Sequence, residues 1–328
     1  MKKLLIAVCA LILLLLAVPL AIVNMTGGTP PPAPDSAEPM AHITTYISAL
    51  DKVEEIDFTE YIKGVIAAEM PASFHEEALK AQAVAARSYI LARIGEYNRE
   101  GDPPEHKGAM ICTDPNHCKA YFTEAQLVER WGQDWLTNYW GKISAAAEST
   151  VGQVMAYDGQ IVNAVFHSSS SGRTENSKDV WGGDVPYLVS VDSPGEEASP
   201  KHESHREMSI DAFKSTILTS YPDAVWTDDD EPLGDIIRSE AGGITSLTVG
   251  GKHITGGELR SMFSLNSTHV EFSFDNDNVT MSVIGSGHGV GMSQYGANHL
   301  AETGMGYEDI LKKYYSGVEL VDYKVIGK

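Results

Sequence analysis

Two runs of helical period, separated by a proline, occupy residues 57–97 and constrain the fold more than any other stretch. In the first, DFTEYIKGVIAAEMP, residues Phe58, Ile62, Val65, Ile66 and Glu69 recur three or four apart and share one face. Asp57, with Glu60 three residues on, has the form of a capping box. Pro71 ends the run, because the residue before a proline is driven out of the α region. The second run opens on SFHE (Ser73 to Glu76), another such box, and extends to about Tyr97. Its inner stripe of Leu79, Ala83, Ala86 and Ile90 is small enough to predict close approach by a neighbouring element.

The rest of the chain adds strands and loops to this pair. Residues Ile43 to Asp51 alternate and are β-branched, as a strand requires. Residues 101–119 form a loop rich in His and Cys, followed by helical stretches around Glu124 to Val128 and Lys142 to Ser149. VMAYDGQIVNAVFH reads as a hairpin turning at Asp158-Gly159. A polar loop then runs from His167 to Asp192, the kind of segment that carries binding groups on a rigid frame. Residues 209–283 hold a helix at Ser209 to Thr219, a strand at Gly234 to Glu240, the hairpin SLTVGGKHIT, the short helix ELRSMF and two more strands. They are expected to form an inserted smaller lobe. The fold class expected is α+β, a mixed helical and antiparallel-β ectodomain spanning 41–328 with the insertion at 209–283.

The first residues set the expected compartment. Lys2 and Lys3 precede an unbroken apolar run from Leu4 to Val23, about the 20 residues that cross a bilayer. Residues 1–25 are therefore expected to be a cytoplasmic tip and a transmembrane signal anchor, with the bulk of the chain outside. Residues 26–40, rich in proline, are expected to form a stiff tether. A formal net charge of −21 argues against nucleic acid, whose binding depends on Lys and Arg neutralising phosphates. It argues equally against docking on anionic lipid through a basic patch.

Glu69 is the one ionisable group on the inner face of the first helix, in its last turn. Apolar surroundings and the negative end of the helix dipole both push a carboxyl upward, as a general acid near neutral pH requires. Rotation of the helix end to the surface is the competing reading. Glu76 and Glu77 lie in a first helical turn, where carboxylates are stabilised as anions, and are assigned to capping.

YIKGVIAAEMPASFHEEALKAQAVAARSY, HSSSSGRTENSKDVWGGDVPYL and GHGVGMSQYGA, in that order, resemble the stage II sporulation protein D family, which is related to amidase-enhancer proteins. The resemblance runs from about Ile43 to the C-terminus. It implies a membrane-anchored lytic transglycosylase of peptidoglycan acting during forespore engulfment, with the glutamate of the AAEMP motif, here Glu69, as acid and base. It also implies glycan strands denuded of peptide as substrate, and a sporulation amidase and the membrane partners of the engulfment machinery as partners. A glycan groove needs polar groups and aromatic faces. The candidates are Arg87, Ser170, Thr174, Tyr187, His288, Gln294 and Tyr295. Each has a plain structural alternative: Arg87 pairing with Glu76 or Glu77, Tyr187 in the core, His288 bonding a loop carbonyl.

HKGAMICTDPNHC places His106, Cys112, His117 and Cys118 in one loop, a donor set sufficient for a closed, structural zinc site. A Cys112–Cys118 disulfide is the rival, and free thiols come third. Hydrolase chemistry finds little support: HEEAL lacks the second histidine of H-E-x-x-H, and no G-x-S-x-G occurs. A non-catalytic, glycan-gripping enhancer of a cell-wall amidase is the alternative to an enzyme.

Overall fold

The computed structural model describes residues 39–226, 233–275 and 277–326. The expected anchor at 1–25 and nearly all of the tether lie outside the described residues. Among the described residues no helix is long and apolar enough to cross a membrane.

The chain opens with a hairpin, β1 (His42–Ile47) against β2 (Lys52–Asp57), in the register Ile43↔Ile56. The strand expected to reach Asp51 stops at Ile47. Asp51 is in the left-handed region, where it ends a short 3-10 turn over Ser48–Leu50 and starts the return strand. Helix α1 (Phe58–Glu69) follows at once, the Asp57 carboxylate accepting the Glu60 N–H. Helix α2 (Glu76–Glu100) is the axis of the molecule, with Leu79, Ala83, Ala86 and Ile90 all fully buried. Its cap is His75 rather than the expected Ser73: the His75 Nδ1 accepts the Glu77 N–H at 3.3 Å. The chain bends once more after Pro71 before helical spacing can begin, so the helix starts later than the box SFHE suggests.

Strand β3 (Ile111–Cys112) joins β1 in parallel, pairing Cys112 with Tyr46. Helices α3 (Glu124–Trp131) and α4 (Gln133–Ser149) extend well beyond the stretches expected. Strands β4 (Gln153–Tyr157) and β5 (Gln160–Ile161) form the predicted hairpin. Asp158 (φ 49°) and Gly159 (φ 72°) are both left-handed, as its tight turn demands. Strand β6 (Phe166–His167) pairs in parallel with Met292–Ser293, joining the polar loop to the glycine-rich motif. The small side chains of α2 let α1, α4, β4 and the two C-terminal helices (Gln294–Glu302 and Tyr307–Tyr314) pack around it in one hydrophobic core.

Residues 203–284 hold a second core of their own, built on Phe213, Ile217, Leu247, Leu259, Phe263, Val270 and Met281. Two antiparallel three-stranded sheets enclose it, one of them ordered His269–Phe274, Asn278–Ile284, Glu203–Ser209. The strand Glu203–Ser209 lies ahead of the boundary expected at 209. All of its residues are half-buried or exposed, so it has no apolar alternation to read. Mixed α/β architecture with mainly antiparallel sheets is thus the observed class.

Candidate active site

Glu69 is the last residue of α1 and is half-buried. Its Oε1 accepts the Ala120 N–H at 3.1 Å. Burial pushes the carboxyl above the usual glutamate range, and the charge of Lys119 and the Ala120 N–H pull part of the way back. Glu77 makes the contrast: burial also works against its ionisation, but Lys80 at 2.6 Å and the Tyr307 N–H outweigh it and hold the group low.

The backbone that reaches Glu69 is a strap, residues 118–122, laid along α1. The Phe122 N–H donates to the Gly64 carbonyl at 3.3 Å, and the Tyr121 ring stacks on Tyr61 at 5.2 Å. Only glycine at position 64 permits this approach, since a Cβ there would lie 2.3 Å from the Tyr121 ring and 2.7 Å from the Phe122 oxygen. The Lys119 Nζ sits 3.7 Å from the Phe166 ring centre and 4.3 Å from that of Tyr89. These ring faces stabilise the ammonium without neutralising it, and burial still holds Lys119 below the usual lysine range.

Phe166 leads into His167, which is buried and donates its Nδ1–H to the Val290 carbonyl at 3.1 Å. The His288 ring lies 5.7 Å from His167 and 5.1 Å from Trp181. Its Nδ1 accepts the Val290 N–H at 3.1 Å. Burial first, then the neighbouring cations, depress both imidazoles: His167 falls to about 4 and His288 also drops well below the usual range. Both rings are therefore neutral at pH 7. The glycines beside His288 serve close approach: a Cβ on Gly287 (φ 117°) would meet His167 at 2.6 Å.

Of the groove candidates, His288 stands in this cluster. Tyr295 packs its ring on Phe74 at 4.9 Å, and its N–H reaches the Ser168 carbonyl. Gln294 is buried, with Nε2 at 3.5 Å from the Gln82 oxygen. Arg87, Ser170 and Thr174 are buried and already bonded within the chain. Arg87 is fully buried and donates to the Gln153 and Ala147 carbonyls. Ser170 gives its N–H and hydroxyl to the buried Glu196 carboxylate. Thr174 is fully buried against the Val189 and Val191 carbonyls. Tyr187 accepts the Asn163 N–H and stacks near Tyr157, on a different cleft from the one His288 lines. Lys119, Tyr89, Phe166, His167 and Trp181 join the cluster without having been expected. The one hint in the sequence was that Lys119 directly follows the cysteine loop.

That loop gathers its four donors as one group. The His106 Nε2 is 3.2 Å from the Cys118 Sγ, and the His117 Nδ1 is 3.4 Å from Cys112 and 3.6 Å from Cys118. All four ligand atoms lie within 4.8 Å of one another. A tetrahedral ion bonded at about 2.0 Å to nitrogen and 2.3 Å to sulfur needs donors about 3.3–3.8 Å apart. The residues present fit such an ion. The two cysteines are free thiols, both buried, and no disulfide joins them.

Comparison with known proteins matches this chain to the same lineage from two directions. The protein-family model described as Stage II sporulation protein matches residues 46–157, which include α1, α2 and the strap. Stage II sporulation protein D of Bacillus subtilis (strain 168) is 37% identical over 279 residues, 85% of this chain and 78% of that protein. Its namesake in Bacillus amyloliquefaciens is 35% identical, over 88% of this chain and 80% of that protein. The amidase enhancer of Bacillus subtilis (strain 168) is 29% identical, over 80% of this chain but only 40% of its own length. With 35–37% identity to the two stage II sporulation D proteins over most of both chains, the protein belongs to the stage II sporulation protein D family.

Proposed function

We propose that this chain is a peptidoglycan lytic transglycosylase in which Glu69 works alone as acid and then base. The observation that carries the reading is the Glu69 carboxyl itself: pushed up by burial, held by one backbone N–H, and facing a cation that forms no ion pair with it. Protonated Glu69 donates to the β-1,4 oxygen between N-acetylmuramic acid and N-acetylglucosamine, and the C1–O bond breaks with oxocarbenium character. The carboxylate then takes the proton of the muramoyl C6 hydroxyl, whose oxygen closes on C1 as a 1,6-anhydro ring. No water is consumed. Lys119 favours the carboxylate that forms in the first step, and Ala120 fixes its orientation.

Denuded strands are the substrate, engulfment the setting, and a sporulation amidase with the membrane partners of the engulfment machinery the partners. The apolar N-terminal run anchors the chain, with its bulk extracytoplasmic. Zinc, the ion that suits a Cys2His2 set, is held by His106, Cys112, His117 and Cys118 in a structural role. The last of these ligands is followed immediately by Lys119 and Ala120, so the ion secures the strap on Glu69. Metal analysis of the reduced protein is expected to give one zinc per chain, and chelation to lower both Tm and activity. A metal-free chain carrying an oxidised cysteine pair would overturn this assignment.

The second reading is a glycan-binding enhancer of an amidase, favoured by the relative that bears that name. Purified full-length chain incubated with denuded glycan separates the two. Anhydro-muramoyl ends, lost in Glu69→Gln, are the expected product; their absence would leave the enhancer.

A further inference from the structure

A second cleft opens beside His288, between the polar loop and the lobe 203–284. It measures ≈ 380 Å³ and is lined by Val180, Trp181, Gly257, Arg260, Leu265 and His288, together with Ser261 and Thr268. Trp181 is 52% exposed although its ring rests against His288. Arg260, on the helix Gly256–Met262, is half-buried. Its Nε donates to the Leu265 carbonyl at 3.3 Å, and among the described residues no carboxylate pairs with it.

Among the half-buried arginines of the molecule Arg260 stands apart. Arg173 pairs with Asp192 and Glu240, Arg238 with Glu271, and Arg93 with Glu96. The chain has 45 acidic against 24 basic residues, yet no acidic side chain lines this cleft. His288 is held neutral there, so Arg260 supplies the only formal charge. A desolvated guanidinium without a counterion is costly until an anion arrives, and its planar fork suits a carboxylate. An exposed indole face beside it suits the apolar face of a pyranose ring.

We propose that this cleft binds acidic amino-sugar residues of the glycan strand, with Arg260 pairing to a free muramoyl lactyl carboxylate and Trp181 lying against the sugar ring. The proposal rests on peptidoglycan being the ligand and adds which residue reads its charge. When a peptide is attached, the lactyl carboxyl is consumed in an amide and the anion is gone. The cleft thereby separates stripped from peptide-bearing strands by a single charge.

Binding without turnover tests it, using full-length Glu69→Gln chain and three probes: denuded muramoyl oligosaccharide, the same with its carboxyls reduced to alcohols, and the peptide-bearing form. Charge-assisted hydrogen bonding predicts the free acid to bind on the order of tenfold tighter than the reduced form. Adding Arg260→Met should bring that ratio close to unity with Tm unchanged, and Arg260→Lys should restore part of it. Trp181→Ala should weaken all three probes together. Equal affinity for acid and reduced probes, or a ratio that survives Arg260→Met, would sink the proposal. So would peptide-bearing strands binding as tightly as the free acid through Arg260, since the guanidinium would then be reading a peptide carboxylate. Because no cleavage is measured, failure here leaves the role of Glu69 standing, and failure of anhydro-end formation leaves this binding result intact.

Discussion

Glu69 and Glu196 are both carboxylates taken out of water, and the difference between their surroundings shows what each is for. Glu196, 2% exposed, accepts the Ser170 N–H and the hydroxyls of Ser170, Ser193 and Ser293. Those donors come from the polar loop, its return segment and the cap of the helix Gln294–Glu302, so one carboxylate ties three parts of the chain. Glu69 has a single N–H and a cation that does not close onto it. Burial pushes both groups upward. A carboxylate saturated with donors is a knot in the fold. One left with an unbonded oxygen and a raised affinity for its proton is free to pass that proton to another molecule.

The largest effect that could break this comparison belongs to Glu69→Gln. The amide keeps the shape and still accepts the Ala120 N–H, but has no proton to donate. Formation of anhydro ends should fall by about a thousandfold, within the usual range for losing a general acid. A carboxyl whose folded pKa lies above its unfolded value contributes stability fully below the unfolded pKa and loses it as pH rises through the folded one. The wild-type chain bears that loss and the Gln variant does not. The variant should melt no lower than wild type, and its advantage should grow as pH rises from the ordinary glutamate range through the raised Glu69 pKa and level off above it, in a series of thermal melts. Retained cleavage, or a marked drop in Tm, would place Glu69 with Glu196 among the structural acids.

Glu196→Ala should do the reverse. It leaves Ser170, Ser193 and Ser293 without their acceptor, and one unsatisfied buried group costs about 1–3 kcal/mol. Destabilisation of about 3 kcal/mol is expected, measured by denaturant unfolding with an unchanged slope. Residual activity should scale with the folded fraction. A stable but inactive Glu196→Ala chain would erase the distinction between the two carboxylates.

How much of this was legible follows the same division. Glu69 was visible because one charged residue interrupts an apolar helical face, and the helices themselves because Leu79, Ala83, Ala86 and Ile90 keep strict spacing. The four donors of the cysteine loop were visible because they lie within thirteen consecutive residues, His106 to Cys118. Glu196 was not, since its partners lie 3 to 97 positions away and nothing local marks an acid that will be buried. Arg87 shows the same limit. Its place in the sequence suggested a groove residue or a partner of Glu76 or Glu77, whereas the carbonyls that bind it come from 60 and 66 residues further on. The exposed strand Glu203–Ser209 lacks apolar alternation, so the boundary of the second lobe fell six residues late. Helix α4 starts ahead of Lys142 because its first turns are half-exposed aromatic and polar residues that carry little helical period.

Lys119 offers the smallest and most discriminating change. Its charge lowers the Glu69 pKa against the larger, opposing effect of burial, so removing it should drive that pKa further upward. Lys119→Met keeps an unbranched side chain directed at the Tyr89 and Phe166 rings while deleting the charge. Activity that depends on protonated Glu69 declines as pH rises through its pKa, and this alkaline limb should therefore move to higher pH in the variant. At neutral pH the rate should change by less than about tenfold, since only the protonated fraction of one group is altered. A limb that stays in place, or moves toward acid, would mean that Lys119 is electrostatically silent at Glu69. The pKa of the carboxyl would then be set by burial alone, and the strap would act on it only through the Ala120 N–H.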